Sequence, residues 1–274
     1  MVGALFRNEL IKTFHRLAFW VTFVFFSGAI TIEFLESYLR SRYEPEHPFA
    51  LPGAWQDILT DDPEVTFIFA SVILILLVAN EFTWRTARQN VIDGLSKERF
   101  FVGKLLLLPV VVVFFQGARV LSGAVFAYLG RDAGSTAPLI EAPHWAALGG
   151  VTWAFVGFLS LALFIALAVR SGGGAMGVML LYFAAIENLV AGGLTRISEG
   201  LESVVAWLPV HAFSDLTRYI QYDPRAFEAA VQRAVETNRQ PPELMDPTTL
   251  WLAPTVWIVV LLGSGFWWFR KRDL

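Results

Sequence analysis

Six long apolar stretches divide the chain into seven polar segments and largely determine what it can fold into. They cover approximately residues 17–35, 65–82, 101–128, 146–169, 175–193 and 251–269. An α-helix rises about 1.5 Å per residue, so about 20 apolar residues match a hydrocarbon core about 30 Å thick. With 55% hydrophobic and only 16% charged residues, the 274-residue chain is predicted to be one all-α polytopic membrane domain with six transmembrane helices.

Charge is distributed unevenly between alternate polar segments. Counted together with Glu81 and Lys104, which lie at the adjoining ends of their apolar stretches, the set of segments that includes both termini holds 12 lysines and arginines, among them all four lysines, against 5 aspartates and glutamates. The intervening set of segments holds 8 lysines and arginines against 17 aspartates and glutamates. Because lysine and arginine are retained on the cytoplasmic side during insertion, we expect a multi-pass protein of the cell (inner) membrane with both termini in the cytoplasm. Segments 36–64 and 194–250 are then extracytoplasmic.

The chain begins with a segment, residues 2–16, that alternates apolar and basic side chains at helical spacing. This pattern is typical of an amphipathic helix lying in the membrane interface. The first apolar stretch then runs into Glu33 and Glu36 without a small-residue cleavage site. We therefore interpret it as a retained helix and not as a cleaved signal.

The extracytoplasmic segment 194–250 is too long and too apolar for a simple connection. Its part Leu201–Leu216 predicts one or two short helices, interrupted at Pro209, that dip into the outer interface. Asp223 and Pro224 then predict the start of an amphipathic helix over 225–238. Short extracytoplasmic helices are thus expected before the last span.

The sequence carries no pattern of a soluble catalytic site. It has no G-x-x-x-x-G-K-[ST] phosphate loop and no cysteine, and its four histidines are scattered without metal-ligand spacing. No span carries clustered histidine, aspartate or glutamate. The chain is therefore predicted to be non-enzymatic and to bind no metal and no cofactor itself.

The cytoplasmic segment 83–100, between spans 2 and 3, is the most structured of the polar segments. Its pattern predicts a short helix with apolar residues between cations, which is the composition of a helix that seats in a groove of a partner. The residues concerned are Arg85, Arg88, Val91, Ile92, Leu95 and Lys97.

This segment and its flanks resemble the permease subunits of type 2 ABC exporters. In that family, spans 2 and 3 are joined by a stretch of the form E-x-x-x-G-T-x-R-x-x-L-x-x-P-x-S-R-x-x-F-x-x-x-K. The residues that fit this form loosely are Glu81, Thr86, Arg88, Ser96, Arg99, Phe101 and Lys104. Arg85 stands at the usual glycine, and Gly94 lies near the usual proline. An ordinary positively charged loop is the alternative interpretation.

The resemblance implies a function that depends on partners. Segment 83–100 would be a coupling helix that docks on a separate ABC ATP-binding subunit, which binds ATP and Mg²⁺. Two permease subunits, identical or different, would form the export pathway in contact with membrane lipids, and no nucleic acid is involved. Spans 1 and 5 would lie near the interface of this dimer. Small residues there permit close helix approach: Gly28, Ala29, Ala184 and Ala185.

A different class of function stays open beside the exporter. The chain could be a non-transporting polytopic scaffold or assembly factor whose acidic outer segments bind an extracytoplasmic partner. The sequence leaves the transported substrate open as well.

Three ionisable residues lie within the predicted spans, where charge is costly and usually finds a partner. Glu33 is near the outer end of span 1, where it can reach the lipid headgroups. Arg119 in span 3 and Glu187 in span 5 lie at similar depth, both within about 6 Å of the midplane. We therefore expect Arg119 and Glu187 to form a buried pair, with a role either in packing or in transport.

Overall fold

The computed structural model describes residues 2–44, 46, 48–92, 94–132, 134–197, 201–237 and 239–272. Helices account for the regular structure of these residues, and no strand occurs among them. The α-helices are α1 (Val2–Phe14), α2 (Leu17–Tyr43), α3 (Trp55–Thr60), α4 (Pro63–Thr83), α5 (Thr86–Ile92), α6 (Lys97–Leu105), α7 (Leu107–Leu129), α8 (Ala142–Val169), α9 (Gly172–Leu181), α10 (Glu187–Ile197), α11 (Glu202–Val205), α12 (Pro209–Asp215), α13 (Pro224–Glu236) and α14 (Pro247–Lys271).

Six helical stretches are long and apolar enough to cross a membrane, which confirms the predicted all-α polytopic fold. They are Leu17–Tyr43, Trp55–Thr83, Lys97–Leu129, Ala142–Val169, Gly172–Ile197 and Pro247–Lys271, referred to below as spans 1 to 6. Helix α3, which opens the second stretch and is separated from α4 by Asp61 and Asp62, is described below with the segments outside the spans. An even number of spans puts both ends of the chain on one side, here called the terminal side. The other is called the far side.

Several helix boundaries differ from the apolar stretches. Span 1 continues to Tyr43 instead of ending near residue 35, because backbone hydrogen bonding extends a helix beyond its apolar part. Span 3 consists of two helices that meet at Leu106. This break follows from Pro109, which has no N–H to donate to the carbonyl four residues earlier. Span 5 begins at Gly172, and the hydroxyl of Ser171, the residue before it, accepts a hydrogen bond from the Gly174 N–H.

The bundle is organised around spans 2 and 4. Helix α4 packs against α2, α7, α8 and α9, and α8 packs in addition against α14. Spans 1 and 5 are peripheral, with only about a fifth of their most apolar residues buried. The outward-facing side chains of span 1 include Val24, Phe25 and Ile32. These faces are free to meet lipid or another protein.

Far-side segments pack closely against two of the spans, in each case at two glycines that lie seven residues apart. On α7, a side chain at Gly123 would collide with Ile58 of α3, and one at Gly130 with the backbone of Phe49. On α8, a side chain at Gly157 would collide with the ring of Phe213 of α12, and Gly150 faces Tyr222 in the same way. Hydrogen in place of Cβ therefore lets both far-side segments sit directly on the bundle.

The predicted far-side helices are present. Helices α11 and α12 lie within the apolar part of segment 194–250, and α12 begins at Pro209. Helix α13 starts at Pro224, and the Asp223 carboxylate accepts from the Arg225 N–H. The Arg225 guanidinium also bonds to Glu141 at 2.5 Å, which ties α13 to the start of α8. That contact and the Asp223 carboxylate raise the pKa of the Arg225 guanidinium.

Candidate functional site

The segment between spans 2 and 3 forms a short helix on the terminal side, α5. It begins after Arg85, whose backbone is left-handed (φ 59°). Ala87 is buried against the body of the bundle, whereas Arg85, Arg88 and Ile92 point to the surface. Ile92 is 67% exposed. A large apolar side chain held outward one helical turn after an exposed cation is the arrangement expected of a docking helix.

The remaining residues predicted for this surface have other positions. Leu95 is half-buried and packs against the hydrophobic core. Lys97 donates from Nζ to the carbonyls of Arg270 (3.2 Å) and Arg272 (2.9 Å), at the end of α14. Its ammonium thereby satisfies carbonyls that the last helical turn leaves open, and a role of Lys97 at the rim of the docking surface stays a prediction. The side chain of Val91 lies outside the described part of the structure.

A buried ion cluster lies next to α5. The Lys104 ammonium is 0% exposed and donates to Glu9 Oε2 at 2.6 Å and to Glu81 Oε1 at 2.8 Å. Glu9 comes from α1, Glu81 from the end of α4 and Lys104 from α6. Opposite charges at these distances compensate each other in a site that water does not reach. The cluster thereby joins α1 to α4 and α6, the two helices that pack against α5.

Arg16, between α1 and α2, completes this cluster. Its Nη1 donates to the carbonyl of Leu77 at 2.7 Å, and its Nη2 lies 3.4 Å from Glu81 Oε1. The guanidinium also stacks over the ring of Trp84, 5.6 Å from the ring centroid. Span 1 is in this way connected to the end of span 2, immediately before α5.

Sequence reasoning did not identify this cluster, although Glu81 and Lys104 belong to the motif that carries the family resemblance. One signal was present in the sequence: Lys104 follows Phe100, Phe101 and Val102 inside an apolar run, where an unpaired ammonium would be costly. The partner could not be read, because Glu9 is 95 residues away in the chain. Close approach of α1 at Gly103, whose Cβ position lies 3.4 Å from the Glu9 side chain, brings Glu9 within reach.

The cluster also sets the charge of the terminal side. Glu9 and Glu81 are buried in it, which leaves Glu98 as the one exposed carboxylate that the described residues place on this side. The described cations of this side that keep some or most of their surface exposed are Arg7, Lys12, Arg16, Arg85, Arg88, Lys97, Arg99, Arg170, Arg270, Lys271 and Arg272. Among the described residues, the surface of the terminal side is therefore predominantly basic.

The predicted pair of Arg119 and Glu187 does not form, and this expectation was wrong. The buried Arg119 guanidinium donates from Nε to the carbonyl of Ile58 at 2.7 Å and from Nη2 to the carbonyl of Asp61. Its ionic partner is Glu33, 3.7 Å from Nη1, so Glu33 faces the protein and not only the headgroups. Arg119 thus holds the C-terminal end of α3, where carbonyls are unpaired and a cation is favourable.

Glu187 is buried and holds a different far-side helix. Its carboxylate accepts from the backbone N–H groups of Val210 (3.0 Å) and His211 (2.8 Å), in the first turn of α12. The residue before α12, Leu208, offers no capping side chain, so a carboxylate from span 5 serves as the cap. The two intramembrane charges therefore act separately, each at the helix end that suits its sign.

No protein-family model matches the chain, and no curated protein matches it at a significant level. Among the described residues, no three His, Asp or Glu side chains are grouped closely enough to hold a metal ion. The site is therefore defined by its geometry alone, as an exposed basic helix braced by a buried ion cluster.

Proposed function

We propose that this chain is the transmembrane subunit of an ATP-driven type 2 ABC exporter. The observation that carries the proposal is α5, an exposed helix between spans 2 and 3 that presents Ile92 one helical turn after the exposed Arg88. Six spans, a preceding helix α1 and short far-side helices before the last span support the same assignment. The chain itself does no chemistry, and ATP and Mg²⁺ bind to a separate ATPase subunit.

In this proposal the buried ion cluster transmits force. A push or pull on α5 reaches α4 through Glu81, α6 through Lys104 and α1 through Glu9, because these three side chains share contacts of 2.6–2.8 Å. Closure of the ATPase dimer on ATP binding would then move the inner ends of spans 1, 2 and 3 together. Rigid elements linked in this way move as a unit instead of deforming locally.

A second permease subunit would complete the pathway. Spans 1 and 5 both pack on α4, and both leave most of their surface uncovered within the chain. Gly28, Ala29 and Ala184 are exposed on these spans, and Ala185 is half-buried. Small exposed residues allow close approach between helices in a membrane, which supports a dimer interface along spans 1 and 5.

The second candidate is a non-transporting scaffold whose acidic far side binds an extracytoplasmic partner. A stable complex that contains such a partner and no ATPase would favour it. The basic surface around α5 supports the exporter more strongly, because a scaffold working on the far side has no use for an exposed apolar residue on the terminal side.

The proposed orientation can be tested by labelling. The natural sequence has no cysteine, and both Gln56 and Gln232 are exposed on the far side. Single cysteines at these positions are expected to react in intact cells with a membrane-impermeant maleimide. A cysteine at Arg99, on the terminal side, should react only after the membrane is made permeable. The reverse labelling pattern would show that the topology is opposite to the proposed one and that α5 does not lie in the cytoplasm.

Docking on the ATPase can be tested at Ile92. An apolar anchor that becomes fully desolvated contributes more than a rim charge, so Ile92→Asp should weaken capture of the purified partner ATP-binding subunit by about 30-fold or more. Arg88→Ala should weaken it only a few-fold, with a larger effect at low salt.

The chain offers a matched control for this experiment. Val235 on α13 is 68% exposed, close to the 67% of Ile92, but it lies on the far side. Val235→Asp should leave capture unchanged. Full capture by the Ile92→Asp protein, or equal loss in both variants, would argue against α5 as the docking helix and with it against the exporter.

A further inference from the structure

A cavity of about 320 Å³ opens on the terminal side, at the junction of span 2 and α5. Its walls are formed by Phe82, Arg85, Ala87 and Arg88. Water occupies about 30 Å³ per molecule in the liquid, so the cavity has room for roughly ten waters or for a phosphodiester group. Two of the four lining residues are cationic and none is acidic. The cavity is therefore suited to an anion.

The two guanidiniums that line this cavity are available to a ligand. Arg85 and Arg88 are both exposed, and among the described residues no hydrogen bond or ion pair engages either side chain. Glu98, the exposed carboxylate of this side, lies 3.8 Å from Arg270 instead. A guanidinium presents its N–H groups in a planar fork that matches the oxygens of a phosphate. Two such forks in one cavity favour a phosphate as the ligand.

The backbone of Arg85 indicates that its side chain has a use. Its φ of 59° lies in the left-handed region, which residues other than glycine adopt only at a cost in free energy. Within the described structure, the guanidinium makes no contact that would offset this cost. What the strained position does achieve is to place a guanidinium on the wall of the cavity.

A third cation makes the potential in the cavity more positive. The Arg170 guanidinium stacks over the ring of Phe82, with Cζ 5.2 Å from the ring centroid. Phe82 forms one wall of the cavity. An anion on the other side of this wall would therefore lie close to three positive charges.

The cavity lies at the depth of the lipid headgroups. Phe82 ends the second apolar stretch, and Arg170 directly follows the fourth. Trp84 is 61% exposed, as is typical of tryptophan at the membrane interface. A hydrocarbon core about 30 Å thick ends at such residues, and the polar headgroups begin there. The phosphate within reach at this depth is that of a phospholipid.

We propose that this cavity binds the headgroup of an anionic phospholipid in the leaflet of the terminal side. Arg85 and Arg88 donate to the phosphate oxygens, and a headgroup with a cation of its own is disfavoured by the same two arginines. Ile92 is not part of the cavity wall, so a bound lipid leaves the apolar anchor of α5 accessible. The site requires only that the chain spans a membrane, so its test is independent of the proposed exporter.

Lipid binding can be measured by native mass spectrometry of the purified chain in detergent. Phosphatidylglycerol and phosphatidylcholine with the same acyl chains are titrated separately, and the Kd of the first bound lipid is read from the adduct ratio. The wild-type protein should bind phosphatidylglycerol about tenfold more tightly than phosphatidylcholine. The double variant Arg85→Gln with Arg88→Gln should lose this tenfold preference, because both charge-assisted donors are gone.

Two further variants separate a site from general charge and from folding. Arg7→Gln with Arg99→Gln removes the same charge from two exposed residues outside the cavity and should change phosphatidylglycerol binding by less than about twofold. Arg85→Gly removes a donor but also relieves the left-handed strain. It should weaken phosphatidylglycerol binding about fivefold while the protein unfolds at the same or a higher temperature.

Several results would overturn the lipid site. Equal weakening in both double variants would mean attraction to a basic face and not a site. Loss of the lipid adduct at an equal concentration of sn-glycerol 3-phosphate would assign the cavity to a soluble phosphate compound. Unchanged lipid binding by the Arg85→Gln and Arg88→Gln protein, together with lost capture of the ATP-binding subunit, would assign the two arginines to the docking contact instead.

Discussion

Replacing Lys104 with methionine is expected to lower the free energy of unfolding by about 3–5 kcal/mol, the usual cost of removing one partner from a buried ion pair. The loss is large because one ammonium serves two carboxylates, Glu9 and Glu81, and all three side chains are almost completely buried. Methionine fills a similar volume, so the change removes charge and not packing. Equilibrium unfolding in mixed detergent micelles measures the difference.

Two further variants show whether the loss comes from charge. Lys97→Met removes a half-exposed ammonium that contacts only carbonyls and should cost less than about 1 kcal/mol. Adding Glu9→Gln and Glu81→Gln to Lys104→Met should recover much of the lost stability, because no unpaired charge then stays buried. A triple variant no more stable than Lys104→Met alone would mean that the cluster is not held by its charges.

The same cluster predicts a response to acid. Burial raises the pKa of Glu9, but Lys104 and Lys12 outweigh it, so the pKa of this carboxyl lies below its ordinary value of 4.5. A lowered pKa means that the stabilisation is fully present above about pH 4.5 and is lost as the pH falls through the lower value. The Lys104→Met protein should therefore lose less stability on acidification than the wild-type protein does.

Arg119→Leu and Glu187→Leu are each expected to lower the free energy of unfolding by about 3 kcal/mol, and the double variant by their sum within about 0.5 kcal/mol. Each change leaves a different far-side helix end unpaired: α3 in one case and α12 in the other. The sites share no partner, so their losses should add. A coupling energy above about 1 kcal/mol would indicate that Arg119 and Glu187 interact directly, which would contradict the structure.

A positive control for this cycle exists in the same region. Glu33 is the ionic partner of Arg119 at 3.7 Å. Glu33→Gln and Arg119→Leu should therefore couple, so that their double variant loses less than the sum of the single losses. The coupling will be modest, since the Glu33 side chain is 38% exposed and is partly screened by its surroundings.

Arg119 and Glu187 do the same thing, although their positions in the sequence do not show it: each stabilises the end of a short helix that carries the opposite partial charge. A short helix seated in a membrane protein has unpaired N–H groups at one end and carbonyls at the other. The Glu187 carboxylate matches the N-terminal end of α12, and the Arg119 guanidinium matches the C-terminal end of α3. Gly123 and Gly157, on the spans that receive these helices, make room for them. The two buried charges and the room left by the glycines together hold both far-side segments in place.

The sequence by itself determined the six spans, the helix α1 and the helix that Asp223 caps. These features depend on local properties: apolar length against bilayer thickness, helical periodicity and a capping residue followed by proline. It also placed an exposed helix with Arg85, Arg88 and Ile92 between spans 2 and 3, because that pattern lies within one short segment.

Only the tertiary structure decided which charges meet. Similar depth in the membrane suggested a pair between Arg119 and Glu187, but depth is one coordinate, and the position around the bundle is set by which helices pack together. Span 3 packs against spans 1, 2 and 4, whereas the outer half of span 5 faces the segment around α11. For the same reason the contact of Lys104 with Glu9, 95 residues apart, was beyond local inference: it exists because α1 folds back onto α6, and a buried ammonium takes the carboxylate that packing brings to it.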